Sequence, residues 1–490
     1  MRRSGAGARR RAWPVVFLAL VLLAPAAGAA EEGAPAPSPV LSWETGAGKS
    51  RLIPALEVGG FVFGLNQFDR HFVEPEHDYE SDGRTFWENL RTAPVYDSDP
   101  FSVNQIGHPY QGGIYYGFAR SAGLSAWESL LYAIGGSFLW ETYGERTPPS
   151  INDYVTTSIG GSLVGEAMFR MASLLLENAP ESPGFWRELG AAVISPPTGF
   201  NRLLFGERFK PVFPSRDPEI FVRLRLGATL TTDVTNAGLP IEVNRYEGSV
   251  DYSISYGLPG KPGYRYRRPF DYFHFEVTAV PNADSVGNAF ENLSIRGLLL
   301  GAGYEAGEAD RGVWGVFGLY EYLSPQIFRL ADTAIAMGAV GQRWLSRQVA
   351  LQFTAMGGVG FGAAGTVGDR AERDYHYGVI PQGLLSLRLI FGERVMLEAS
   401  GRGYYVAGLN ASTAGESFGG EVIARGVVGV TLRIYGPHAI GVQYVVTSRD
   451  ARFSDLRDRH QSVETVSLSY NFLGHSRFGA VEWRPEDARP

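Results

Sequence analysis

Residues 222–230 read VRLRLGATL. In an extended chain successive side chains point to opposite faces, so Val222, Leu224, Leu226, Ala228 and Leu230 share one side and Arg223, Arg225, Gly227 and Thr229 the other. YEGSVDYSISY at 246–256 repeats the alternation, with Val250, Tyr252, Ile254 and Tyr256 opposed to Glu247, Ser249, Asp251, Ser253 and Ser255. VSLSYNF at 466–472 does so again, setting Val466, Leu468, Tyr470 and Phe472 against Ser467, Ser469 and Asn471. These are strands with one apolar and one polar face.

About twelve such segments follow one another, near 219–230, 244–257, 270–280, 293–305, 312–322, 327–345, 348–362, 378–392, 395–406, 420–435, 438–449 and 461–473, an even number, as single-chain bacterial outer-membrane barrels require. The fifth and sixth alternate poorly, so the count stands to within two. Those barrels keep short turns on the periplasmic side and long loops outside. With the N-terminus periplasmic, the connections after strands 1, 3, 7, 9 and 11 are long, roughly twelve residues or more, and those after 4, 6, 8 and 10 are short. The connections after strands 2 and 5 break the rule. A soluble sandwich or a lipocalin-like barrel alternates in the same way with its apolar face inward. Export, Tyr-rich strand ends and the loop asymmetry favour the membrane. With the apolar faces toward lipid, the lumen receives Arg223, Arg225, Arg296, Arg388, Arg402, Arg425 and Arg433 together with Glu247, Asp251, Glu276 and Glu398. Such side chains can fill a narrow interior by pairing.

The first thirty residues join an Arg-rich start, the apolar run AWPVVFLALVLL and the small-residue stretch APAAGAA, the pattern of a cleaved signal peptide. No later stretch offers about twenty uninterrupted apolar residues, which argues against an inner-membrane helical protein. The 490 residues contain no Cys, so disulfides, thiolate metal sites, a thiol nucleophile and an N-terminal lipidated Cys are excluded. A net charge of −7 argues against a nucleic-acid partner. High glycine (62 residues) together with 13% aromatics suits membrane β-structure. The expected organisation is a signal peptide at 1–30, an irregular segment at 31–100, a helical block at 101–210, the barrel at 211–475 and a tail at 476–490. The fold class is α+β: an N-terminal helical block followed by an antiparallel transmembrane β-barrel of about 12 strands.

Within the block, helix signals come in order. Pro109 suits a first helical position, with His108 before it biased toward an extended conformation, and Gly123 ends that helix. SAWE at 125–128 reads as a capping box opening a helix to Gly144, and Ser150 with Asp153 three residues on opens a third, reaching about Leu176. A shorter helix lies near 184–194, and SPPTGFNRLLFGER connects it to the first strand. Gly161 with Gly165, and Ala133 with Gly136 and Ser137, mark where helices approach closely.

The series DSDPFSVNQIGHPYQGGIYYGFARSAG, GGSFLWETYGE, PPSINDYVTTSIGGSLVGEAMFR and GFNRLLFGE, with its N-x-x-x-HP, WE-x-x-x-E and PS-x-ND motifs, resembles a family of uncharacterised bacterial envelope proteins known only as a domain of unknown function. The resemblance covers roughly residues 55 to 210. It implies an envelope protein with a helical block followed by β-structure, and no activity.

The polar candidates are Asp97, Asp99, Asn104, His108, Arg120, Glu141, Glu145, Asn152, Asp153, Glu166 and Arg170. Most have structural readings: Ser150 and Asp153 cap a helix, Glu166 and Arg170 form an i,i+4 pair, and Glu141 with Glu145 occupies a last turn where the helix dipole disfavours anions. Arg120 or His108 would neutralise that last pair. The catalytic alternative is a lipid esterase or deacylase using His108 with Ser129 or Ser150 and an acid such as Glu141, but no G-x-S-x-G elbow is present. A metal site from His108, Asp97, Asp99 and Glu145 lacks H-E-x-x-H, so no metal and no cofactor are expected. The leading expectation is an outer-membrane barrel with a helical plug or periplasmic cap in a structural or transport role. A lipid-modifying enzyme and an assembly or anchoring protein are the alternatives. Partners expected are outer-membrane lipid and, for the anchoring reading, periplasmic proteins.

Overall fold

A computed structural model describes residues 40–484 apart from 74–75, 98, 179–182, 237–244, 281–288, 367–374, 412–418 and 454–457. The expected signal peptide and the last residues of the tail lie outside the described residues. Twelve antiparallel strands follow in chain order: β1 (Ile220–Asn236), β2 (Tyr246–Tyr256), β3 (Phe273–Ala279), β4 (Phe290–Ala306), β5 (Asp310–Leu323), β6 (Phe328–Trp344), β7 (Val349–Thr366), β8 (Tyr375–Phe391), β9 (Val395–Ala411), β10 (Gly419–Tyr435), β11 (His438–Phe453) and β12 (Arg459–Leu473). Each pairs with its neighbours in sequence and β1 pairs with β12, so the barrel is closed and no edge is left unpaired.

The register confirms the two faces read in VRLRLGATL. Leu226 stands opposite Tyr470 on β12 and Val250 on β2, and all three are exposed on the outside. Arg225 stands opposite Asn471 and Asp251 and is directed inward, where it pairs with Asp251 at 2.8 Å. The connections at the far end are shorter than expected, running from 237 to 245, 280 to 289, 324 to 327, 367 to 374, 412 to 418 and 454 to 458. The reason is strand length: β1, β4, β6, β8, β9 and β10 each run 17 residues and absorb what the sequence reads as loop. The turns at the near end stay tight, as in Gly436–Pro437 between β10 and β11, except for the long 257–272 connection between β2 and β3.

The block contains α1 (Leu52–Phe72), α2 (Gly83–Asn89), α3 (His108–Ser121), α4 (Ala126–Leu139), α5 (Ile151–Val155), α6 (Gly161–Glu177), α7 (Phe185–Ile194) and α8 (Pro196–Phe205). Segment 31–100 is therefore not irregular, since it carries α1 and α2, and the supposed connector at 195–208 contains α8. Gly161 and Gly165 do mark a close approach: a Cβ on Gly112 would collide with the Thr157 carbonyl oxygen, and one on Gly161 with the Gly112 backbone.

Among the described residues, the block packs on the outward-facing side of the barrel wall. Leu163, Val164 and Ala167 of α6 pack on Ile254, Tyr256, Phe273, Ile295 and Tyr320, the outward-facing residues of β2 to β5. Phe101 packs on Tyr322, Ala331, Ala363, Tyr375 and Tyr377, which face outward on β5 to β8. Helices thus cover the outside of the wall from the far rim down to the short-turn rim. This covering also explains why β5 and β6 alternate poorly: with Tyr320, Tyr322 and Ala331 buried under helices and Leu319, Phe317 and Ala334 buried in the lumen, both faces are dry, and a strand buried on both sides reads as a continuous apolar run.

The lumen is filled by other means. At the short-turn end the segment after β12 folds back inside, and Phe478, Ala480 and Val481 pack among Phe221, Leu258, Trp344, Ile390 and Met396. Gln342 and Trp344 donate to the Val481 carbonyl at 2.7 and 3.2 Å, Gln352 donates to the Gly479 carbonyl at 2.7 Å, and the Val481 N–H donates to Gln342 at 2.9 Å. At the far end Leu323, Phe328, Leu330, Ile380, Val406, Ile423 and Val463 meet across the interior. Between the two layers lies a cavity of about 160 Å³. Arg223, Arg225, Arg296, Arg388, Arg402 and Arg425 line it, as the alternation predicts, with Asp251, Glu276 and Glu398. Arg223 reaches Glu398 at 3.0 Å and Arg402 reaches Glu276 at 3.4 Å. Arg433 does not line the cavity. It sits at the rim, donating to the carbonyls of Glu393, Gly436 and His475.

Candidate functional site

Two polar clusters form where the helical block meets itself and the outer wall. The first is near the short-turn rim. Arg120 grips Glu166 with Nε to Oε2 at 2.6 Å and Nη2 to Oε1 at 3.1 Å, Tyr116 donates to the same carboxylate at 2.9 Å, and Arg170 donates to it at 2.8 Å. Arg170 continues to Asp271 at 3.2 Å and to the Pro269 carbonyl at 2.6 Å, both in the β2–β3 connection. The predicted i,i+4 pair is therefore one link of a strut tying α3 and α6 to the barrel. Arg120 is committed to this strut and does not neutralise Glu141. Every charge here is paired and hydrogen-bonded, the condition under which buried ions are tolerated.

The second cluster lies toward the far rim and is built by three interruptions of helix geometry. Val103–Gly107 before α3, Trp140–Gly144 after α4 and Thr156–Gly160 between α5 and α6 are π turns, a form that concentrates at functional sites and leaves backbone groups to find partners elsewhere. The chain is helical through residue 108, with φ −63° and ψ −46°, so His108 opens α3 without being extended, and Pro109 lies in the first turn of that helix. Pro109 has no N–H to give the Gln105 carbonyl. The Tyr320 hydroxyl, from the outer face of β5, donates to it instead.

The π turns deliver Asn104, Glu141 and Thr157 to one place. Asn104, fully buried, donates to Asp97 at 2.6 Å and to the hydroxyls of Tyr375 and Tyr377 at 3.0 and 2.9 Å. Asn152 donates to Asp97 at 3.0 Å and to Asp153 at 2.9 Å. His108 Nδ1 lies 3.2 Å from Thr157 Oγ1, and His108 Nε2 lies 3.7 Å from Asp153 Oδ2. Glu141 Oε2 accepts the Ser150 N–H at 2.7 Å, while Glu141 Oε1, though buried, has no hydrogen-bond partner among the described residues. Ser150 caps α5 by accepting the Asp153 N–H, as expected, and Ser125 with Glu128 forms the full capping box.

The structure separates the residues of the hydrolase alternative. Ser129 is buried with no hydrogen-bond partner among the described residues, and it precedes Glu141 by twelve positions, about 18 Å of helix rise. Ser150 is occupied as a cap. The hydroxyl on His108 belongs to Thr157, itself 1% exposed. Of the four residues weighed for a metal site only His108 belongs to a compact donor set, which it forms with Glu141 and Asp153. Tyr320, Tyr375, Tyr377, Thr157 and Asp271 carry no signal in the sequence. Each is polar in a segment that reads as ordinary strand, helix or turn.

A family model described as a domain of unknown function (DUF3943) matches residues 93–197, which include both clusters up to their barrel partners. No curated protein matches the chain. Among solved structures, the toluene transporter TodX of Pseudomonas putida is similar at 11% identity over 53% of this chain and 90% of that one, with a TM-score of 0.22. The outer membrane channel DcaP of Acinetobacter baumannii is similar at 8% identity over 52% and 96%, with a TM-score of 0.22. A loop L8 deletion mutant of OmpT, an outer membrane protein of Vibrio cholerae, is similar at 8% identity over 52% and 98%, with a TM-score of 0.19. With scores this low, the fold stands on the strand pairing itself.

Proposed function

We propose that the protein is an outer-membrane barrel that does not conduct: the barrel is a filled anchor, and the helical block on its lipid-facing wall is the working part. The observation that carries this is the folding of Phe478, Ala480 and Val481 into the short-turn end of the lumen, above which the cavity is crossed by ion pairs rather than left as a water path. The block supports the second half of the reading. It exposes Leu52, Leu56 and Phe63 on α1, Leu131, Ile134 and Phe138 on α4, Phe185, Trp186 and Val193 on α7, and Leu203 on α8. These faces continue the exposed apolar belt of the barrel, with Leu300, Val428 and Leu468. A water-facing block would turn charges outward, whereas apolar faces of this extent belong in lipid. Outer-membrane lipid is therefore the partner. Purified protein in planar bilayers is the test: it gives no conductance steps beyond background, and stable steps of uniform size contradict the reading.

A lipid-modifying activity is favoured by one observation, that the cluster of His108, Glu141 and Asp153 lies beside the outer wall at the depth of its apolar residues. Mass spectrometry of outer-membrane lipids from cells with and without the protein tests it. Unchanged lipids leave the anchoring role, in which exposed parts of the block recruit envelope proteins.

A further inference from the structure

We infer that His108, Glu141 and Asp153 form a binding site for one divalent transition-metal ion of the manganese-to-zinc range. One donor atom from each residue lies within 4.8 Å of the others, and all three residues are buried. The way each side chain is held carries the inference further than proximity. Each has two polar atoms, and in each case the protein occupies one of them. Thr157 Oγ1 stands at 3.2 Å from His108 Nδ1, Asn152 donates to Asp153 Oδ1 at 2.9 Å, and the Ser150 N–H donates to Glu141 Oε2 at 2.7 Å. What face one another are His108 Nε2, Asp153 Oδ2 and Glu141 Oε1, with the Asp97 carboxyl also within reach of Asp153. The first two face each other at 3.7 Å, too far for a hydrogen bond but near the separation of two ligands that each sit about 2.1 Å from one ion. Glu141 Oε1 has no hydrogen-bond partner among the described residues, which is costly for a buried carboxylate oxygen unless something binds there.

Metal sites are organised in this way: the ligating His gives its other nitrogen to a fixed neighbour, ligating carboxylates are themselves hydrogen-bonded, and these contacts orient the donor atoms. One imidazole nitrogen and two carboxylate oxygens, with no sulfur among the three donors, select Mn2+, Fe2+ or Zn2+ over soft ions such as Cu(I). A divalent cation also balances an excess of buried acid, since Asp97 and Glu145 adjoin the same cluster and no Lys or Arg side chain makes an ion pair with Glu141 or Asp153 among those described. Three protein ligands leave further coordination positions open, as catalytic rather than closed structural sites do.

The test uses the full-length protein in detergent, stripped with EDTA and dialysed against Zn2+ or Mn2+ buffered by a weak chelator, with bound metal counted by plasma mass spectrometry and the melting temperature followed. The wild type binds about one ion per chain and melts higher with metal than without. Glu141→Gln and Asp153→Asn lose about tenfold or more in affinity. Glu145→Gln keeps the metal, because both Glu145 oxygens are already held, by Trp140 Nε1 at 2.7 Å and Thr147 Oγ1 at 3.1 Å. Wild type that takes up neither ion and melts identically with and without metal overturns the inference, and so does Glu141→Gln protein that binds as tightly as wild type. The wild-type arm decides the matter even where a variant fails to fold.

Discussion

At the scale of single residues, the Gln105 carbonyl that Pro109 cannot serve is bonded by the Tyr320 hydroxyl of the barrel wall. Ser125, Glu128 and Ser150 cap as their spacing says, because capping is satisfied within four residues. His108, which precedes Pro109, is biased toward extended backbone by its sequence. The π turn at Val103–Gly107 accommodates the proline inside a continuous helix instead, and the Gln105 carbonyl it strands is bonded by a tyrosine 215 positions away. Two substitutions probe this scale. Asn104→Leu removes the donor to Asp97, Tyr375 and Tyr377 and is expected to loosen the block by about 1–3 kcal/mol, seen as faster hydrogen exchange across 101–121 with the barrel strands unchanged. Glu166→Gln leaves Arg120 and Arg170 buried against each other without their shared anion. It is expected to cost about 3–5 kcal/mol, read as loss of a protease-resistant block while heat-modifiable migration of the barrel on gels persists.

At the scale of elements, alternation identified the strands wherever one face meets the lumen and the other is bare, as in β1, β2 and β12. It weakened in β5 and β6 because helices from earlier in the chain cover them, a fact no local window contains. Helix α1 was missed for a local reason: LIPALEVGGFVFGLNQFDRHF has no side-chain cap at Arg51 and carries three glycines, each costing about 1 kcal/mol relative to alanine in a helix. Its apolar faces, packed through Val58 and Val62 on Ile114 and Tyr115, override that propensity. The contact between α3 and α6 rests on small residues, which let the two backbones approach closely. Gly112→Val drives a side chain into the Thr157 carbonyl and is expected to cost about 1–3 kcal/mol or more. Circular dichroism should then show helix loss on heating before the barrel melts. A single transition at the wild-type temperature would show the contact to be unimportant.

At the scale of the whole molecule, the sequence supplied a closed barrel and a helical block but not their arrangement, since nothing in either segment says which face of the other it meets. The position of the tail was equally hidden. Phe478, Val481 and Trp483 fill the end of a lumen only because Gln342, Gln352 and Trp344 are brought opposite them by closure of the barrel. Replacing Phe478 and Val481 together by serine is expected to introduce conductance where the wild type has none, with heat-modifiable migration retained. The central claim is that the block lies in lipid against the barrel wall. The absence of Cys makes one measurement decisive: a spin label on Leu131→Cys, a position 65% exposed on the outer face of α4, in protein reconstituted into liposomes. Embedding in lipid predicts relaxation by dissolved oxygen well above that by a water-soluble nickel chelate, matching a label at Leu468→Cys on the bare face of β12. Relaxation by the nickel chelate as strong as at a water-exposed turn such as Gly436→Cys would contradict it.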